Sequence, residues 1–311
     1  MLVIVTAAVL VAVNFVTIKD FFVGMGYMPT RGMTEIRESL QLTGRGEFLF
    51  KASRPELDER GDFNRNCRDE DTETAILGCY RDEKIFIYNI VDDELAGIRE
   101  LTTAHELLHA VYARMSESEQ AKWGELLATV YEQNKDILEE EIEAYDEGER
   151  AEELYVRAGT EVRDLPEALE EHYGEIFRNQ DRVVGYYESY IAAFLEIDAA
   201  IDELDTEMKA ALAQINTRTA EYERRTAQLA ADIVSFNACA EVAGCFKADG
   251  EFWERRGRLV TEREALTEMY SELNEMIDEY NEMVGEYNAN VIHGQMLNDL
   301  INSAVEPEEI E

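Results

Sequence analysis

The 311-residue sequence predicts an α+β fold: a small antiparallel sheet packed on one central helix, then a long antiparallel coiled-coil hairpin of helices. Three observations predict it. Two apolar runs, Ala75–Tyr80 and Lys84–Ile90, are joined by Arg81-Asp82-Glu83 and read as a β-hairpin. Directly after them, residues 99–115 contain neither Pro nor Gly. They carry His105-Glu106-Leu107-Leu108-His109 among Leu101, Ala104, Ala110 and Val111, which is a helical pattern. From about Val183 onward, apolar residues step by threes and fours and later by sevens, the signature of a coiled-coil seam.

At the N-terminus, residues 2–18 (LVIVTAAVLVAVNFVTI) are apolar apart from Thr6, Asn14 and Thr17. About 17–25 such residues suffice to cross a bilayer. No Lys or Arg precedes the stretch, and no small-residue cleavage site follows it before Phe21-Phe22-Val23, so it reads as a single-pass signal anchor rather than a cleaved signal. Lys19 does not set the orientation. The four cysteines fall into two local pairs, Cys67 with Cys79 and Cys239 with Cys245, as expected of disulfides in an oxidising compartment. Anchor and cysteines together place residues 21–311 outside the cytoplasm.

Residues 34–41 read as a short helix with Thr34 as its N-cap, and Glu47–Ser53, alternating Phe48 and Phe50 with Leu49 and Lys51, as a strand. Residues 56–74 read as a polar loop tied down by Cys67. After the His-Glu-x-x-His helix, Ser116-Glu117-Ser118-Glu119 is a capping box opening a helix to about Tyr145, with Trp123, Leu127, Val130, Tyr131, Ile137 and Leu138 on its core stripe. Gly148 breaks it, and a further helix begins near Pro166. The arm's outgoing stripe runs Phe194, Ile197, Ile201, Leu204, Met208, Leu212, Ile215, with the consecutive fours at 204–208–212 read as a stutter. The return stripe is Phe252, Leu259, Leu266, Leu273, Tyr280 and Tyr287, with Met269, Met276 and Met283 between them. The expected organisation is an anchor at 1–20, a catalytic domain at 21–182, an arm of roughly 60 Å at 183–300 and an acidic tail at 301–311.

Composition excludes some partners. Lys and Arg number 29 against 68 Asp and Glu, a net charge of −39. Such a polyanion does not seek nucleic acid or anionic head groups. Solvated helix faces account for the acidity, with a salt-exposed host as the minor alternative.

The chemistry centres on His105 and His109, two of only four histidines. Four residues apart on a helix, their imidazoles share a face and reach one metal ion. Glu106 sits one step round, beside a metal-bound water rather than on the metal. These residues, with a glutamate on a later helix, resemble the gluzincin class of zinc metallopeptidases. The resemblance covers roughly 75–180, and its specific part is His-Glu-x-x-His. It implies a helical glutamate as third zinc ligand, followed by a small residue and a glycine. Glu153, with Ala158 and Gly159 after it, matches best, and Glu152, Glu161 and Asp164 stay open. It also implies a His or Tyr donor to the oxyanion, for which His172 and Tyr173 are the candidates and Tyr155 a weaker one. The class with a third His after His-Glu-x-x-His is excluded, because Tyr112 and Met115 stand at its Gly and His positions.

The expected function is therefore a membrane-anchored, extracytoplasmic zinc metallopeptidase acting on peptide or protein substrates. Glu106 would be its general base, and the sheet edge beside the metal would hold an extended substrate. A zinc amidase acting on cell-wall peptides would use the same chemistry. The alternative is an envelope adaptor with a structural or inactive zinc site, working through an arm that pairs with a coiled-coil partner or a second copy. A nucleophilic Ser or Cys route has no support, since no Gly-x-Ser-x-Gly occurs.

Overall fold

The computed structural model describes residues 17–67, 76–248 and 250–304. Residues 17–25 are helical and are followed by α1 (Arg31–Leu40), α2 (Gly44–Ser53), β1 (Glu56–Asp58), α3 (Arg60–Cys67), β2 (Gly78–Arg81) and β3 (Lys84–Tyr88). Then come α4 (Ile98–Tyr112), α5 (Glu117–Gln133), α6 (Lys135–Glu143), α7 (Arg150–Glu161), α8 (Glu167–Gly174), α9 (Gln180–Ala240) and α10 (Glu251–Ile301). The fold is helix-rich with one small sheet, and it divides into two compact units, residues 1–195 with 295–311, and residues 196–294. Val183 and Val184, at the expected start of the arm, are buried, and Val183 belongs to the core of the first unit. Among the described residues no helix is long and apolar enough to cross a membrane. The apolar stretch 2–18 lies outside them except for Thr17 and Ile18, as does the acidic tail from residue 305.

The sheet corrects the sequence reading twice. It is mixed, in the order β1-β3-β2: β2 and β3 form the expected antiparallel hairpin, while β1 joins β3 in parallel. The hairpin turns through Asp82 and Glu83, both left-handed (φ 51° and 60°), which matches the right-handed twist of the flanking strands. Residues 47–53 are helix rather than strand. Thr43 caps α2 by accepting from the Gly46 amide, and the buried positions Gly46, Leu49, Phe50 and Ser53 repeat by threes and fours. The Phe48–Phe50 alternation is incidental to that longer period. Likewise α1 is capped by Thr30, one turn before the expected Thr34. The expected loop at 56–74 contains β1 and α3, and Cys67 at the end of α3 is bridged to Cys79 on β2.

The core of the first unit gathers around α4. Ala104, Leu107, Leu108, Ala110 and Val111 are buried against Met33 and Ile36 of α1, Phe50 of α2, Ile85 and Ile87 of β3, and Tyr155, Val156 and Ala158 of α7. The capping box at Ser116 and Glu119 is formed. Its helix ends at Gln133, and Asn134 separates it from α6.

The second unit is an antiparallel hairpin of the two long helices, as expected. Arg225 grips Glu262 through two hydrogen bonds (2.8 and 3.0 Å), Arg218 pairs with Glu272, and Phe236 meets Phe252. The stutter is absent. Ala211 lies in the seam and Leu212 faces solvent, so Ile201, Met208, Ile215, Tyr222, Leu229 and Phe236 follow one another at uninterrupted sevens. The Cys239–Cys245 disulfide closes the far end.

Candidate metal centre

The site begins with α4, a helix buried on nearly every side, with Thr102 and Thr103 bonding back to the Ile98 and Arg99 carbonyls. His105 and His109 look out of its one open face, their Nε2 atoms 3.3 Å apart. The third donor arrives on α7, which must run very close to α4 for a glutamate to reach the imidazoles. Ala158 and Gly159 allow that approach. A Cβ on Gly159 would lie 2.6 Å from Leu108 of α4 and 2.6 Å from Tyr173. Glu153 is thereby placed with Oε1 3.6 Å from His105 Nε2 and Oε2 3.5 Å from His109 Nε2. Among the described residues His105, His109 and Glu153 form the group that can hold a metal ion. Two imidazoles and a carboxylate are a donor set suited to a transition-metal ion.

The remaining sequence candidates fall into other roles. Glu152 lies behind the group, its Oε1 2.8 Å from His109 Nδ1. A carboxylate only accepts, so the proton sits on Nδ1 and the Nε2 lone pair is left for a metal. Replacing Glu152 with Ala should weaken metal affinity about 10–100-fold while keeping one site per chain, as read by competition with a chelating dye. Glu161 is buried and bonds Arg157 instead, and Asp164 is exposed.

His172 and Tyr173 are committed to the core. The His172 ring stacks on Trp123, its Nε2 is 2.9 Å from the Tyr155 hydroxyl, and the Tyr173 hydroxyl donates to the Tyr155 carbonyl. Burial holds the His172 imidazole below its ordinary range, at about 4. Tyr155 stands two residues beyond Glu153, about 200° round α7, and so faces away from the ligand side. His172 and Tyr173 thus contact Tyr155, and His172 contacts Trp123 as well.

Two residues of the site carry no assignment from sequence. Arg157 is a clamp: its guanidinium donates to Glu153 Oε1 (2.8 Å) and Glu161 Oε1 (2.9 Å) and pairs with Glu141 of α6 (3.0 Å). The Glu-x-x-x-Arg-x-x-x-Glu spacing on one helix face was its readable signal. Tyr145, in the turn after α6, lies where the charges of Glu153 and Glu106 reach it. Burial first, then Glu153, push its phenol up to about 12. A turn residue has no period, so nothing in the sequence announced it.

Glu106 is 5% exposed, under the backbone of β2. A Cβ on Gly78 would lie 2.8 Å from Glu106 Oε1, so only glycine lets the strand pass over the carboxylate. Burial, followed by the charges of Glu153 and Glu152, raises Glu106 to about 7 against the opposing effect of His109. Burial holds His105 below the ordinary imidazole range. His109, despite the same burial penalty, is raised by its bonds to Glu152 and Glu153. Glu153 is lowered, against burial, by His109, His105 and Arg157.

Glu161 behaves differently from its neighbours. Burial outweighs the opposing pull of Arg157 and lifts it from 4.5 to about 7, and its second oxygen has no partner. A carboxyl raised in the folded state favours the protonated form, so its contribution is fully present below 4.5 and is lost as pH rises through about 7. Glu161→Gln should therefore unfold later than the parent at pH 8, by about 1–3 kcal/mol, and equal it at pH 4. Urea melts at the two pH values check this.

No family model matches the sequence, and neither a curated protein nor a solved structure matches it either.

Proposed function

We propose that the chain is a zinc-dependent metallopeptidase of the His-Glu-x-x-His-plus-Glu kind, anchored by its N-terminal apolar stretch with the catalytic unit outside the cytoplasm. The spacing of the donor atoms carries the reading. Zinc bonds of about 2.0–2.2 Å at the tetrahedral angle put ligand atoms about 3.3–3.6 Å apart. Here the two Nε2 atoms are 3.3 Å apart, and the Glu153 carboxylate straddles them, Oε1 3.6 Å from His105 Nε2 and Oε2 3.5 Å from His109 Nε2. The two disulfides support an oxidising compartment.

A zinc ion held by these residues supplies Lewis acidity, making water a nucleophile near neutral pH and polarising a carbonyl. The chain's own groups do the rest. Glu106, next to His105 on the ligand helix, takes the proton of the attacking water and hands it to the leaving nitrogen. β2 is an edge strand of the sheet, so an extended peptide can add to it by main-chain hydrogen bonds.

The test is metal analysis of the purified full chain beside digestion of a peptide library followed by mass spectrometry. A single zinc per chain and cleavage abolished by a chelator are expected. A well-folded chain that takes up no zinc sinks the reading.

A second reading, an adaptor acting through the arm, is favoured by the far end of the hairpin. Val234, Val242 and Trp253 are exposed there beside the disulfide. The two readings part at Glu106→Gln, which an adaptor would survive.

A further inference from the structure

The helical segment 17–25 is amphipathic in the wrong sense for a water-soluble surface. Its solvent face is Ile18, Phe21, Phe22 and Met25, the i, i+3, i+4, i+7 positions of one helical stripe, and Met28 continues it at 90% exposed. Its inward residue is an acid. Asp20 is 5% exposed and accepts from Arg114 Nε at 2.9 Å and from a second guanidinium nitrogen at 3.4 Å. Arg114 also donates to the Tyr80 hydroxyl of β2 and to the Ala110 carbonyl at the end of α4. The backbone is pressed against α2 as well: a Cβ on Gly24 would meet Lys51 at 3.2 Å. One face of this segment is thus bolted to the metal-bearing helix and to the edge strand, and the other is a contiguous apolar surface.

We propose that this outer face is seated in a lipid bilayer, so that the catalytic unit lies against the membrane and acts on membrane-proximal peptide segments. The occupant is argued from continuity. The stripe is the direct chain continuation of LVIVTAAVLVAVNFV, the most apolar stretch in the sequence. Met28 and the Phe21–Phe22 pair provide the apolar and aromatic side chains that settle at the acyl boundary. Lys51 lines the groove beside Phe21 and Met25 with a long stem that can reach head groups, while Lys19 pairs with Glu83 of the hairpin turn. The Asp20–Arg114 clamp sets the height of the site. Arg114 lies just beyond the end of α4, five residues after His109, so the clamp ties the segment close in sequence to the metal ligands. The substrate half rests on the peptidase reading. The docking half does not.

The experiment uses the full chain in nanodiscs of palmitoyl-oleoyl phosphatidylcholine. An environment-sensitive fluorophore is attached at Phe21→Cys or Met28→Cys, with Val91→Cys as a water-exposed control in the same unit. Quenching at 21 and 28 by doxyl-labelled lipid, but not at 91, is the expected result. Quenching by aqueous iodide as strong as at 91 overturns the docking, and shielding from both quenchers overturns it too, because the face is then covered by protein.

In the same discs, a peptide the chain cleaves is tethered to a lipid either directly or through a long glycine-serine spacer. The short tether should be cut about tenfold faster or more, and Phe21→Glu with Phe22→Glu should erase that preference. Equal rates in the parent overturn the substrate half. Absence of any cleavage removes the peptidase reading and its substrate class together, while the quenching result still decides the docking.

Discussion

Glu106→Gln is expected to reduce peptide turnover about 10²–10⁴-fold while leaving one metal ion per chain and a melting curve no lower than the parent's. The substitution preserves size beneath the Gly78 backbone, where the side chain is nearly sealed from solvent. It preserves the ligands as well, since the metal group is His105, His109 and Glu153. Only the ability to accept a proton is lost. The measurement pairs library digestion with metal analysis on the same sample. Turnover within a few-fold of the parent would show that another group takes the proton. A variant that lost its metal would show that Glu106 is part of the binding set after all.

Glu153→Ala should have the second large effect, of another kind. It removes one of three donors, and the affinity lost should exceed the 10–100-fold typical of a supporting residue. It also leaves Arg157, mostly buried, with Glu161 and Glu141 as its remaining partners. Truncating one partner of a buried ion pair costs about 3–5 kcal/mol where no other partner remains, so the loss here should fall below that range. The informative measurement is the shift of melting temperature on adding zinc. A ligand that binds only the folded state stabilises in proportion to the logarithm of its concentration over Kd. The parent should therefore melt higher with zinc and the variant should respond weakly. An equal response in both would move the third ligand elsewhere, with Glu152, beside His109, the next carboxylate to replace.

What the sequence disclosed followed how locally each feature is encoded. The His105–His109 pair, the capping box at Ser116 and the two cysteine pairs depend on short fixed spacings, and all are formed. Glu153 was readable because Ala158 and Gly159 follow it, and the structure shows why they matter: they bring α7 against α4. The errors came where two periods compete over a few residues. Glu47–Ser53 satisfies both alternation and a 3–4 repeat, and the cap at Thr43 decides for helix. In the arm, Leu212 outweighed Ala211 by hydrophobicity, yet the seam follows register rather than size and takes the alanine. His172 and Tyr173 have the chemistry of a site, but their partners Trp123 and Tyr155 lie far off in sequence. Only the assembled core shows His172 Nε2 and the Tyr173 hydroxyl bonded to Tyr155.

The uninterrupted sevens in the second unit make that unit a ruler. The chain leaves the first unit once, at Glu196, and returns once, after Gly294, and a Cβ on Gly294 would lie 3.4 Å from Ile197 across the stem. The two strands can therefore be shortened together. Excising one heptad from each at facing positions would draw in the disulfide-closed end by about 10 Å and leave every remaining seam contact in phase. Removing seven residues from one strand alone would put the facing layers of the two helices out of step. The length of this unit is thus a heritable quantity, adjustable in equal steps.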